Sequence, residues 1–200
     1  MHPNGCILKL LSWIHESSGR VCRHRTRGSP PTVRPAGIYV PSTLRHSVTT
    51  ATSRATAGVR EAVRADLLDV FRIERRSFPQ PWPYEAFERF LDEPGFLVAD
   101  DDGVVGYVVA DTMANHGTSV GHVKDLAVRR DRRGEGIGRL LLGEALGGLF
   151  VEGAGRVKLE VRANNDAARE LYGDFGFRTH HVLSGYYDDG EDAHIMVRGR

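Results

Sequence analysis

The sequence predicts an α/β (α+β) domain, a mixed sheet with helices on both faces. Three observations carry that prediction. Between residues 120 and 162 an apolar strand runs through a glycine-spaced turn into an apolar helix and out into a second strand. Two strands joined by one helix lie parallel. Residues 96–99 and 104–110 read as strands on either side of Asp100-Asp101-Asp102-Gly103, and the Asp-Gly step is hairpin chemistry, which adds an antiparallel pair. Upstream, apolar residues at helical spacing supply helices to cover the sheet.

Residues 59–63 form a short strand. Residues 64–76 carry Leu67, Leu68, Phe71 and Ile73 near helical spacing, which predicts a helix. The segment 77–83 (SFPQPWP) holds three prolines in seven residues and must be a loop. A helix resumes over 84–91 with Phe87, Phe90 and Leu91 on one side. After the hairpin, the strand at 120–128 sets Leu126 and Val128 in one phase and Val123 out of step; a β-bulge near Lys124-Asp125 reconciles them. The turn Gly134-Glu135-Gly136-Ile137-Gly138 opens a helix over 136–151. A strand at 156–162, a helix at 166–175 and strands at 177–182 and 193–198 complete the domain.

The formal net charge of +1 conceals two unlike stretches. Residues 1–57 hold eight Lys/Arg and one acid, Glu16, whereas residues 58–200 hold 19 basic and 25 acidic residues. A basic, disordered tail at 1–57 and a folded domain at 58–200 are expected. The same Arg-rich, acid-poor composition also fits an organellar transit peptide or a start codon set too early. The tail's longest apolar run, 6–14, is too short to span a bilayer and is broken by Lys9, and no basic stretch precedes it as a secretory signal requires. Both cysteines, Cys6 and Cys22, fall in the tail, so the folded part has no thiol nucleophile and no disulfide, which suits a cytoplasmic location. His116, His122, His180, His181 and His194 lack metal-ligand spacing and are read as strand or loop residues, so no metal is expected. The tail's aromatics are Trp13 and Tyr39 alone, and it carries no RNA-binding motif. Electrostatic docking on RNA is the alternative class that its charge leaves open.

The chemistry concentrates in two places. Backbone N–H groups left free at the start of the 136–151 helix, with the positive end of the helix dipole behind them, suit a pyrophosphate. The glycines let the backbone approach it, and Arg129, Arg130, Arg132, Arg133 and Arg139 add positive charge. The spacing G-x-G-x-G, followed by Arg139, is not a dinucleotide fingerprint, and no Gly-Lys-Ser/Thr ending makes it a P-loop. The second place is 159–177. Glu160 sits among apolar strand residues, where an acid is costly unless paired or functional. Asn164 or Asn165 can cap the following helix, and Asn165 and Tyr172 lie two helical turns apart on one face. Periodicity alone places Tyr172 in the core.

The run DLAVRRD, RGEGIGR, LEVRANNDAARELY and FGF resembles the GNAT acetyltransferase superfamily, and within it the RimI-type (ribosomal-protein-alanine) N-terminal acetyltransferases. SFPQPW resembles the proline-rich loop lining that subfamily's peptide site, and the likeness reaches Tyr186-Tyr187 and EDAHIM at 191–196. It covers 58–200 and none of 1–57. The resemblance implies the GNAT fold, in which two parallel strands splay apart and acetyl-CoA lies in the opening. Leu126, Ala127 and Val128 would pair with the pantetheine arm, as an added strand would. Gly134, Glu135, Gly136, Ile137, Gly138 and Arg139 would hold the pyrophosphate. Asn165 and Tyr172 would also contact the cofactor. Glu160 would be the general base, Tyr172 the general acid, and Phe78, Pro79, Tyr186 and Tyr187 the acceptor contacts. The implied partner is a protein N-terminus, that of a ribosomal or other nascent protein; the rival reading within the superfamily acetylates a lysine, a polyamine or a small-molecule amine. Where members often carry Arg-Asn before the tyrosine pair, this chain has Ser184-Gly185, a departure that bears on acceptor specificity.

Overall fold

The computed structural model describes residues 57–115 and 118–200. The expectations for the tail up to residue 56, and for His116, lie outside those residues. The seven-stranded sheet has the order β1-β2-β3-β4-β5-β7-β6, with β1 Gly58–Glu61, β2 Phe96–Asp100, β3 Val104–Asn115, β4 Thr118–Val128, β5 Ala154–Arg162, β6 Arg178–Leu183 and β7 Ala193–Gly199. Only β4 and β5 pair in parallel; every other neighbouring pair is antiparallel. The helices are α1 Leu67–Ser77, α2 Tyr84–Glu88, α3 Ile137–Val151 and α4 Asp166–Asp174. Among the described residues no helix is long and apolar enough to cross a membrane.

Helices cover both faces, as expected. On one face Leu67, Val70 and Ile73 of α1 and Phe87 of α2 pack on Phe96, Val98, Tyr107, Val109 and Ala127. On the other, Ile137, Leu141, Leu142, Ala145, Leu146 and Leu149 of α3 pack on Val105, Val108, Ala110, Val123, Val157 and Leu159. Tyr172 and Phe177 join that second cluster. Leu141 is wholly buried, and truncating such a leucine to alanine costs about 2–5 kcal/mol.

Three details depart from the expectations. Leu68 does not face the core: it is 51% exposed, while Val70 and Glu74 take the inward positions. The α2 helix stops at Glu88 rather than 91, because the Phe90 N–H bonds the Phe87 carbonyl, tightening the turn before Pro94. β3 runs on to Asn115, as its polar end pairs with the start of β4. The hairpin turn is the expected one, with Asp102 and Gly103 both at positive φ, 52° and 119°.

The bulge falls where the phase conflict put it. Val109 pairs with Asp125 and Ala110 with Val123, so Lys124 is the extra residue. The kink lets Val123, Leu126 and Val128 all serve the α3 face, while Asp125 and Ala127 turn to the α1 face. β4–β5 pairing runs from Ser119–Ala154 to Val123–Leu159 and ends there. Beyond the bulge β4 keeps only β3, and β5 keeps only β7. The two strands part into a wedge.

Candidate active site

The wedge has two backbone walls, Leu126–Ala127–Val128 on β4 and Glu160–Val161–Arg162 on β5, each paired with a neighbouring strand on its outer side only among the described residues. Unpaired strand edges of this kind accept an extended ligand as an added strand.

Next to the β4 wall lies the glycine turn. Gly134 and Gly136 have φ of +82° and +85°, and Gly136 is the N-cap of α3. A Cβ at either would meet nothing within 4 Å, so glycine is required here by left-handed backbone rather than by crowding. Among the described residues no side chain caps α3, and its first turn holds no acid. The helix's first bond is from the Leu140 N–H to Gly136, which leaves the N–H groups of Ile137, Gly138 and Arg139 for an anion.

Of the five arginines expected to add positive charge at the turn, three are paired with acids. Arg129 pairs with Asp131, and Arg132 with Asp101 and Glu135. Arg139 pairs with Asp174 and lies over Phe175, so it offers the turn its backbone rather than its guanidinium. The Glu135 side chain is likewise engaged by Arg132. Arg133 donates to the Val128 carbonyl (3.0 Å) and the Ser77 hydroxyl (3.3 Å), tying the turn to the start of the proline-rich loop.

At the apex of the wedge Glu160 meets two cationic or donor partners. Val157, Leu159 and Val161 serve the α3 face, so strand alternation turns Lys158 and Glu160 to the α1 face. There His122 Nε2 lies 2.6 Å from Glu160 Oε2 and Lys158 Nζ 3.2 Å from Oε1. Burial would raise the Glu160 carboxyl, but hydrogen bonds and charge from His122 and Lys158 outweigh it and hold it down at about 2. His122 is wholly buried, which pushes its pKa below the ordinary imidazole value despite Glu160. A neutral imidazole with its proton on Nε2 donates to Glu160, and its Nδ1 is then a buried acceptor without a partner among the described residues.

The ring of Tyr172 is buried and stands edge-on to Phe177, in the core position that its periodicity predicts. Its hydroxyl nevertheless makes no hydrogen bond among the described residues. Burial pushes its pKa up and keeps it protonated. Asn165 is the N-cap of α4, its Oδ1 accepting the Ala168 N–H at 3.2 Å. The residue is exposed, and its amide nitrogen keeps two protons to donate.

The implied acceptor contacts sit on two separate segments. Phe78 follows α1 and packs against the α1-face cluster, with Pro79 exposed beside it. Tyr186 and Tyr187, edge-to-face at 5.1 Å, belong to the β6–β7 loop. That loop is held by Arg162, whose guanidinium lies 4.0 Å from the Tyr187 ring centre and bonds Asp189 and Glu191. Gly185 has φ +60° and its N–H donates to Asp192, so the Ser-Gly departure builds a left-handed turn here.

Sequence reasoning misses His122, reading it as a plain strand or loop residue. Nothing local marks it, since the parallel register that brings it to Glu160 exists only in the sheet. Glu74 is missed as well, although it leaves a signal: it follows Leu67 and Val70 at core spacing, an acid on a buried helical face.

These features have close counterparts. A model of the acetyltransferase (GNAT) family matches residues 67–177. The N-alpha-acetyltransferase of Sulfolobus acidocaldarius is 38% identical over 151 residues, 70% of this chain and 90% of that protein. The ribosomal protein bS18-alanine N-acetyltransferase of Escherichia coli is 31% identical over 140 residues, 66% of this chain and 90% of that one. The crystal structure of Ard1 from Thermoplasma volcanium has a TM-score of 0.67 at 27% identity, covering 72% of this chain and 98% of that chain. With the splayed strands, the uncapped glycine turn and these likenesses together, the chain belongs to the GNAT acetyltransferase family.

Proposed function

We infer that the domain at 58–200 transfers acetyl from acetyl-CoA to the α-amine of a protein N-terminus, and that a ribosomal or other nascent protein in the cytoplasm is the acceptor. The observation that carries the reading is the apex of the wedge, where a carboxylate held by His122 and Lys158 lies where two strand edges part, each without a neighbouring strand on its inner side. The residues fit the cofactor. The N–H groups of Ile137, Gly138 and Arg139 suit its pyrophosphate, the edge of Leu126, Ala127 and Val128 suits the pantetheine amides, and the Asn165 amide lies at the next helix start. Bound there, acetyl-CoA supplies the activated acyl group. Phe78 and Pro79 on one side, and Tyr186 and Tyr187 on the other, are assigned to the acceptor peptide.

Glu160 stays ionised throughout the working range and serves as proton acceptor together with His122, whose bare Nδ1 gives the pair a second place for a proton. An α-amine has a pKa of about 7.7–8.0 against about 10.4 for lysine, so a weak base is enough for the first and poorly matched to the second. Tyr172, kept protonated by its burial, donates to the departing thiolate. Mass spectrometry of products from a panel of free-N-terminus peptides, N-terminally blocked lysine peptides and polyamines tests the reading. Acetylation at α-amines is expected; products confined to lysine side chains in N-terminally blocked peptides, or to polyamines, would replace it with the rival acceptor class.

A further inference from the structure

Beneath the proline-rich loop lies a second group of ionisable side chains that the transfer does not use. The Tyr107 hydroxyl, wholly buried on β3, lies 2.5 Å from Glu74 Oε2 on α1 and 2.9 Å from Asp125 Oδ2 on β4. The other Glu74 oxygen accepts the Trp82 backbone N–H at 2.7 Å. Among the described residues no arginine, lysine or histidine pairs with either carboxyl; nearby Lys124 is taken by Asp111. A tyrosine hydroxyl has one proton and cannot fill two short contacts to carboxylates. Were Glu74 and Asp125 both ionised, one O···O contact would hold no hydrogen.

A single added proton completes the chain, and the geometry says where it resides. Bonds from a hydroxyl to an ionised carboxylate are short, about 2.5–2.7 Å, which matches the Glu74 contact and not the Asp125 contact. Asp125 also receives an N–H, from Leu126, but its carboxyl is within hydrogen-bond reach of the Glu74 carboxyl, an arrangement that favours the proton on Asp125, and among the described residues no cation favours its charge. Burial pushes both carboxyls up, Asp125 well above its usual value. We propose that Glu74, Tyr107 and Asp125 share one proton carried by Asp125, and that the Glu74 carboxylate so fixed is a positioning residue for the acceptor loop. Asp125 O–H donates to Tyr107, Tyr107 donates to Glu74, and Glu74 pins the Trp82 amide at the far end of the 77–83 segment. The Phe78 N–H bonds the Glu74 carbonyl at 3.1 Å, and the Trp82 ring rests on Phe87 and Phe90, so one residue sets both ends of the segment bearing Phe78 and Pro79. The loop's role in acceptor binding rests on the function proposed above; the shared proton does not.

The test has two arms. In the wild-type protein with 13C-labelled aspartate carboxyls, one resonance is expected at the protonated position at pH 7, and Asp125→Asn removes it; a spectrum with every aspartate ionised overturns the proposal without any variant needing to fold. In kinetics with a peptide acceptor, Glu74→Gln is expected to raise acceptor KM about tenfold while kcat and acetyl-CoA KM stay within twofold. Asp125→Asn, whose amide donates as the protonated acid does, keeps acceptor KM near wild type. Equal losses in both variants, or none in Glu74→Gln, overturn the positioning role. A wild-type protein that acetylates no peptide α-amine would defeat the acceptor reading itself, while the carboxyl spectrum, recorded without substrate, still tells whether Asp125 holds the proton.

Discussion

Two acidic nodes sit on the α1 face of the same sheet and their protonation runs in opposite directions. At the wedge apex Glu160 has an imidazole and an ammonium within hydrogen-bond reach and is held at about 2 despite its burial. Around Tyr107, Glu74 and Asp125 have a phenol and backbone amides but no cation, and burial raises both. Burial acts alike on both nodes. What separates them is the set of neighbours delivered by β4: His122 before the bulge, Asp125 after it, turned to the same face because Lys124 is the extra residue. On the proposed function, one node keeps a charge where a proton must move. On the proposal made above, the other keeps a proton where a loop must stay still.

Removing the charge from the first node should have the largest effect. Glu160→Gln keeps the shape and a hydrogen bond but leaves the Lys158 ammonium and His122 without their anion. The expected result is a fall in kcat/KM of about 100-fold, the lower range for a lost general base, with acetyl-CoA affinity unchanged by calorimetry. The pH dependence discriminates. Because Glu160 stays ionised well below assay pH, the acid limb of the wild-type profile belongs to the acceptor amine and His122, and the variant's deficit should deepen as pH falls through about 7.7–8.0 and the amine holds its proton. A deficit of constant size across pH would make Glu160 a structural partner of His122 and the two nodes functionally alike.

Tyr172 belongs to neither node: its ring sits in the α3-face cluster, where burial pushes its pKa up. Tyr172→Phe retains the ring that packs on Phe177 and removes only the unpartnered hydroxyl. A thiol leaves with a pKa of about 8.5 and needs modest help, so kcat should drop about tenfold with acetyl-CoA KM unmoved. An unchanged kcat would return Tyr172 to the core that its spacing first suggests.

How far each node can be read in the sequence follows from the same geometry. The bulge is legible because a one-residue phase conflict between Val123 and Leu126 has few solutions on a strand. The glycine turn is legible because its backbone demands are local. Glu160 stands out as an acid among apolar strand neighbours. Its partner His122 does not, since an alternating strand tolerates a histidine and only the β4–β5 register supplies the contact. The arginine cluster misleads for a related reason: the acids that neutralise Arg132 and Arg139, Asp101 and Asp174, come from the β2–β3 turn and the end of α4. Local rules reveal backbone devices and isolated oddities; charges are settled by whichever strand or helix end lies alongside.

The second node should show itself in stability. A carboxyl whose folded-state pKa is raised keeps its proton while the unfolded chain loses one, so the folded state binds more protons and stability falls as pH rises from about 4, the ordinary aspartate value, toward the raised one. Glu160 has the opposite sign: its contribution is present above the ordinary glutamate value and is lost as pH falls toward about 2. Asp125→Asn has no such proton to retain. Urea unfolding at intervals from pH 4 to pH 7 should therefore find the variant gaining on wild type by about 4 kcal/mol across the range, at about 1.4 kcal/mol per pH unit, whereas Glu160→Gln should show no gain over that interval. A constant offset between Asp125→Asn and wild type would mean that Asp125 ionises normally on folding, and the contrast between the nodes would lose its cause.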